Sequence, residues 1–104
     1  MDENTINTAY AGMQDARMNL FTANQALEKA EIAWRRQEAD AYNKQLLQGK
    51  NEASRAAELS ALYPKELSDL YQCRAKVDET KYLYDIAKIE VDRIQAVLTF
   101  LGLK

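Results

Sequence analysis

From Ile6 to Ala41 an apolar residue returns at every seventh position: Ile6, Met13, Leu20, Leu27, Trp34 and Ala41. Three residues after each of the first four stands an alanine, at Ala9, Ala16, Ala23 and Ala30. A 4-3 spacing of this kind is the signature of a helix that packs along its length against another helix. Alanine on one of the two core lines lets the two helix axes approach closely. The pattern predicts one long helix over about residues 5–48, with Asn4 or Thr5 as its cap. Asp2 and Glu3 add negative charge at the positive end of the helix dipole.

Composition bears on what can interrupt this pattern. Only three glycines and one proline occur in 104 residues, too few for the turns of a β-rich fold. Gly49 is read as the stop of the first helix, in the left-handed conformation that glycine tolerates. Asn51 then caps a short helix over 52–62, with Leu59 and Leu62 as its apolar edge. Tyr63-Pro64 ends it, because proline lacks a backbone donor and disfavours helix in the residue before it. A kinked, continuous helix through Pro64 is the alternative.

A second long helix is predicted over 64–101. One core line reads Tyr63, Leu70, Val77, Tyr84, Val91 and Leu98; the other reads Cys73, Thr80, Ala87, Ile94 and Leu101. Gly102 supplies the stop, and Leu103 can fold back on the last turn. Each long helix would span about 60 Å, and a connection this short leaves them side by side. The expectation is an all-α fold in one domain: a long antiparallel helical hairpin with an alanine-rich, coiled-coil-like seam and a short connecting helix.

Both long helices carry more apolar residues than one seam needs. Met18, Phe21 and Ile32 lie off the first helix's core line, with Ala11 and Ala39 alongside. On the second helix Ala75, Tyr82, Ile89 and Ala96 recur at sevens, flanked by Ile86 and Phe100. Two helices alone bury little surface, so a second apolar face is best satisfied by another chain. A homodimer forming a four-helix bundle is the simplest closed solution. Folding of the short helix over one face is the alternative, and a face kept for a different protein is the third.

The chemistry-bearing residues are sparse. There is no histidine, which removes the commonest general base and metal ligand. Cys73 is the single cysteine and lies on the core seam, where thiols are usually packing residues. Gly49-Lys50 superficially looks like the end of a phosphate-binding loop, but Asn51 follows where Ser or Thr is needed and no upstream glycine cluster exists. Glu66 is the one acid at a core position of the second helix, read as solvated at the seam's end. The chain is therefore expected to be non-enzymatic, with no cofactor and no metal.

A net charge of −2 with interleaved signs argues against nucleic acid. The absence of an 18-residue apolar run argues against a membrane span, and the acidic start lacks a secretory signal's basic and apolar regions. A cytoplasmic protein follows. Tyr42 and Tyr71, with Arg35 and Arg36 nearer the connecting end, are candidate partner contacts. Lys44, Lys50 and Arg55 add cations there, offset by Glu38, Asp40 and Glu52. A solvated mixed-charge tip is one reading, and a docking tip for an acidic partner the other.

The long alanine-rich helix, the connector Gly49-Lys50-Asn51-Glu52-Ala53-Ser54-Arg55 and the second long helix together resemble a loose class of short helical-hairpin proteins of bacteriophage and bacterial genomes. That resemblance covers most of the chain and implies no catalytic residues. It implies a small accessory protein, an adaptor or inhibitor that works by binding another protein. The alternative is a nucleic-acid accessory protein that gains a basic ridge on dimerisation.

Overall fold

The structure, a computed structural model, describes residues 2–102. Every element in that range is a helix: α1 (Glu3–Asn43), α2 (Glu52–Leu62) and α3 (Pro64–Phe100). The chain is an all-α helical hairpin in which α1 packs on α3. It divides into two compact units. The first holds Met1–Asn24 and Lys76–Lys104, and the second holds Gln25–Ala75.

In the first unit, the Gln95 side-chain amide donates to the Tyr10 hydroxyl at 2.7 Å, and Arg17 reaches the Tyr84 hydroxyl at 3.4 Å. Rising numbers on α1 thus meet falling numbers on α3, so the pair is antiparallel. The 4-3 lines form the inner face. Ala23, Val91 and Ile94 are buried, and Ile6, Met13 and Leu20 are half-buried. Thr80, a polar residue on this seam, is only 3% exposed. Its hydroxyl donates to the carbonyls of Lys76 and Val77 on its own helix, at 2.8 and 3.1 Å. The donor is therefore satisfied without a partner from α1.

In the second unit, α2 returns between the later half of α1 and the earlier half of α3. Ala41, Leu59 and Leu70, one from each helix, are buried there. Cys73 and Glu66 are both half-buried, so Glu66 is less solvated than its place at the seam's end suggested.

The first helix differs from expectation at both ends. It begins at Glu3 rather than Thr5, and its cap is neither Asn4 nor Thr5. Asp2 accepts the Thr5 backbone N–H at 2.8 Å, and that bond holds its carboxyl below the usual carboxylate range. A charged cap adds a favourable dipole interaction that Asn4 or Thr5 lacks.

At the other end α1 stops at Asn43, not near Gln48. The Leu46 N–H returns to the Ala41 carbonyl at 2.9 Å and the Gln45 N–H to that of Tyr42 at 3.1 Å, the bond pair of a Schellman stop. Gln45, at φ 57°, takes the left-handed position assigned to Gly49. The earlier stop leaves residues 44–51 to turn the chain, and the Gln48 N–H ties that turn to Glu58 on α2 at 2.7 Å.

Gly49 has a different role. A Cβ there would lie 2.6 Å from the Ser54 Cβ and 2.9 Å from the Arg55 backbone nitrogen. Its lack of a side chain lets the turn press against the start of α2.

Asn51 caps α2 by accepting the Ser54 N–H at 2.8 Å. Pro64 breaks the helix rather than kinking it: Tyr63 leaves helical geometry and Pro64 opens α3, where its missing donor costs nothing. Gly102, at φ 71°, ends α3, with its N–H on the Thr99 carbonyl at 3.1 Å. The reading of Leu103 lies outside the described residues.

Candidate functional site

Two surfaces stand out, one in each unit. The first is the outer face of α3. Counting from the inner lines, Tyr82 and Ile89 lie on the side of α3 directly away from α1, with Ile86 and Phe100 one column over. Together with Ala96 they form a second 4-3 stripe. All are exposed, Ile86 at 46% and Phe100 at 89%. Leu83, on the margin of the stripe, is also exposed.

Arg93 falls within this stripe, between Ile89 and Ala96. Its guanidinium grips Glu90 through two bonds, at 2.6 and 3.2 Å. The side-chain hydrogen bonds hold the Glu90 carboxyl below its usual range and raise Arg93 above its own. The cation is thus neutralised within its own helix. Along one margin Asp78, Asp85 and Asp92 recur at sevens, giving the stripe an acidic edge.

Met18 and Phe21 stand out from α1 in the same unit, 68% and 63% exposed. Met18 lies opposite the inner seam of α1, so it does not join the α3 stripe. The candidate residues of this unit therefore form two separate patches.

The second surface is a cleft of about 270 Å³ among α1, α2 and α3 in the second unit. Trp34, Leu59 and Leu70 give it an apolar wall, while Tyr42 and Tyr71 stand at it half-exposed or more. Glu38, Glu52, Arg55 and Arg74 bring charge of both signs. The Arg74 guanidinium lies 5.8 Å from the centre of the Tyr71 ring. The Nε of Arg55 is buried without a hydrogen-bond partner.

The structure thus brings Tyr42 and Tyr71 to one cleft but leaves Arg35 and Arg36 off its lining. Arg35 pairs with Glu31 at 3.4 Å one turn earlier, and Arg36 is exposed. Ile32, at 39%, is the least exposed of the candidate stripe residues. Sequence reasoning missed the cleft because it placed Arg55 in a connector and Trp34 on a seam. Only the return of α2 brings them together.

Among the described residues no group of three His, Cys, Asp or Glu is placed to hold a metal ion. No helix in that range is long and apolar enough to cross a membrane. Comparison with family models, with curated proteins and with solved structures finds no match to this chain.

Proposed function

We propose that this chain is a non-enzymatic protein-binding module that works in the cytoplasm and docks an apolar helix on the outer face of α3. The observation that carries the reading is the exposed 4-3 stripe through Tyr82, Ile86, Ile89 and Phe100. A helix surface of that spacing is complementary to another helix and unfavourable to leave in water. The first occupant is a second copy of the chain, giving a four-helix bundle. The exposed area supports this. The chain presents 7803 Å², whereas a folded monomer of 11.9 kDa leaves roughly 6,000 Å². The excess on one chain is more than the roughly 800 Å² per partner that a standard interface covers.

Light scattering across a concentration series tests the proposal. A dimer that falls to monomer mass in Ile89→Glu or Tyr82→Glu, with helical content kept, supports it. Unchanged mass in both variants removes self-association. Ionic strength separates the occupants. In an antiparallel α3–α3 pairing the Asp78, Asp85 and Asp92 edges face each other, so added salt strengthens association. A partner helix with a basic edge is weakened by salt instead.

A further inference from the structure

The two flanks of the α1–α3 pair in the first unit differ. On one, Gln95 bonds Tyr10 and Arg17 reaches Tyr84, and among the described residues these are the side-chain hydrogen bonds that cross from α1 to α3. The other flank carries no such bond among the described residues and holds a hollow of about 260 Å³. Gly12, Ala16 and Asn19 of α1 line it, with Thr80, Leu83 and Ala87 of α3. The space is open on the α1 side, since a Cβ added at Gly12 would meet nothing within 4 Å. Leu83 is at once a wall of the hollow and a knob beside it, 49% exposed. It also borders the outer stripe of α3, so stripe and hollow form one continuous surface.

We infer, resting on the reading of the outer stripe as a self-association surface, that a second copy of the chain closes over this open flank, each copy seating its Leu83 in the hollow of the other. Contact through the outer face of α3 alone would set four helices in a row. A four-helix bundle needs each partner helix to lie against both helices of a hairpin, and the hollow is where α1 becomes reachable from the stripe. A two-fold contact uses the same patch on both copies, so a knob beside a hollow is complementary to itself. The exposed area fits a face of this breadth. The chain's 7803 Å² exceeds the roughly 6,000 Å² of a compact 11.9 kDa monomer by more than the roughly 800 Å² per partner of a standard interface. A face spanning two helices accounts for that excess better than one ridge. All the residues concerned lie in the first unit, Met1–Asn24 and Lys76–Lys104.

The full chain and its variants are weighed by light scattering across a concentration series, with helical content followed by circular dichroism. Asn19→Glu brings a carboxylate to the hollow from α1, away from the outer face of α3. It is expected to weaken the dimer at least about tenfold. Leu83→Glu removes the knob and is expected to do the same. Asn24 is exposed and shares the opposite flank's column with Tyr10 and Arg17, so Asn24→Glu leaves the dimer unchanged. A second readout needs no added charge. Copies carrying Asn19→Cys are mixed with copies carrying Leu83→Cys, both with Cys73→Ala, and oxidised with diamide. A disulfide between the two kinds of copy is expected. If Tyr82→Glu dissociates the dimer while Asn19→Glu and Leu83→Glu do not, or if no mixed disulfide forms, the flank contact is overturned and the outer-face reading stands. Equal loss in Asn24→Glu and Asn19→Glu also overturns it. A monomer at every concentration of the unaltered chain overturns both.

Discussion

The Gln95 amide and the Tyr10 hydroxyl meet at 2.7 Å across 85 positions of sequence, on the flank of the α1–α3 seam. The apolar lines alone permit a slip of one heptad, since each repeat resembles the next. A directional bond between two partly buried groups penalises that slip. Tyr10→Phe is expected to cost about 0.5–1.5 kcal/mol. A double-mutant cycle with Gln95→Ala in chemical denaturation checks that the two losses are coupled.

Gly12 and Gly49 respond oppositely to alanine. A Cβ at Gly12, inside α1, meets nothing within 4 Å, so Gly12→Ala is expected to stabilise by about 0.5–1 kcal/mol through the unfolded state's lost freedom. A Cβ at Gly49 collides with Ser54 and the Arg55 backbone, and Gly49→Ala is expected to cost about 1–3 kcal/mol. Thermal denaturation of the two variants should move the midpoint in opposite directions.

Gln45 occupies a left-handed conformation at φ 57° without being glycine. The Schellman bonds at the end of α1 hold it there. Gln45→Gly keeps those bonds and relieves the Cβ clash, a gain of about 1 kcal/mol. A loss of stability in urea titration would contradict the geometry of this stop.

Thr80→Val probes the one polar residue buried in the seam among the described residues. Its hydroxyl bonds only to carbonyls of its own helix, and those carbonyls belong to helical turns that persist without it. A methyl in its place adds apolar burial, so the variant is expected to gain about 0.5–1 kcal/mol. A destabilised variant would mean that the hydroxyl has an acceptor on α1.

The start of α1 is pH-sensitive. The Asp2 carboxyl is held below its ordinary value by the Thr5 N–H, so its capping contribution is complete above the unfolded carboxyl's range. It is lost as pH falls through the lower folded value. Exchange of the Thr5 amide should accelerate relative to mid-helix amides on acidification. Asp2→Asn caps without titrating and should abolish that dependence.

The residues along the chain determined the helices and their inner faces. A 4-3 apolar spacing fits only a helix, and every position on the two core lines that lies inside α1 and α3 is at least half-buried. Asn51, Pro64 and Gly102 were readable as stops and starts because each acts through its own local chemistry. The outer stripe on α3 was readable for the same reason, since periodicity exposes a second face as plainly as the first.

The end of α1 was decided by tertiary structure. Gln45 ranks below glycine for a left-handed position, so local preference pointed to Gly49. The turn stops α1 at Asn43 because residues 44–51 must carry the chain back for Leu59 to be buried, and the Gln48–Glu58 bond secures that path. The cleft follows from the same return of α2. Trp34, Arg55 and Arg74 have no periodic relation in the sequence. Their proximity depends on the direction of a short helix after a turn, and no spacing rule encodes that direction.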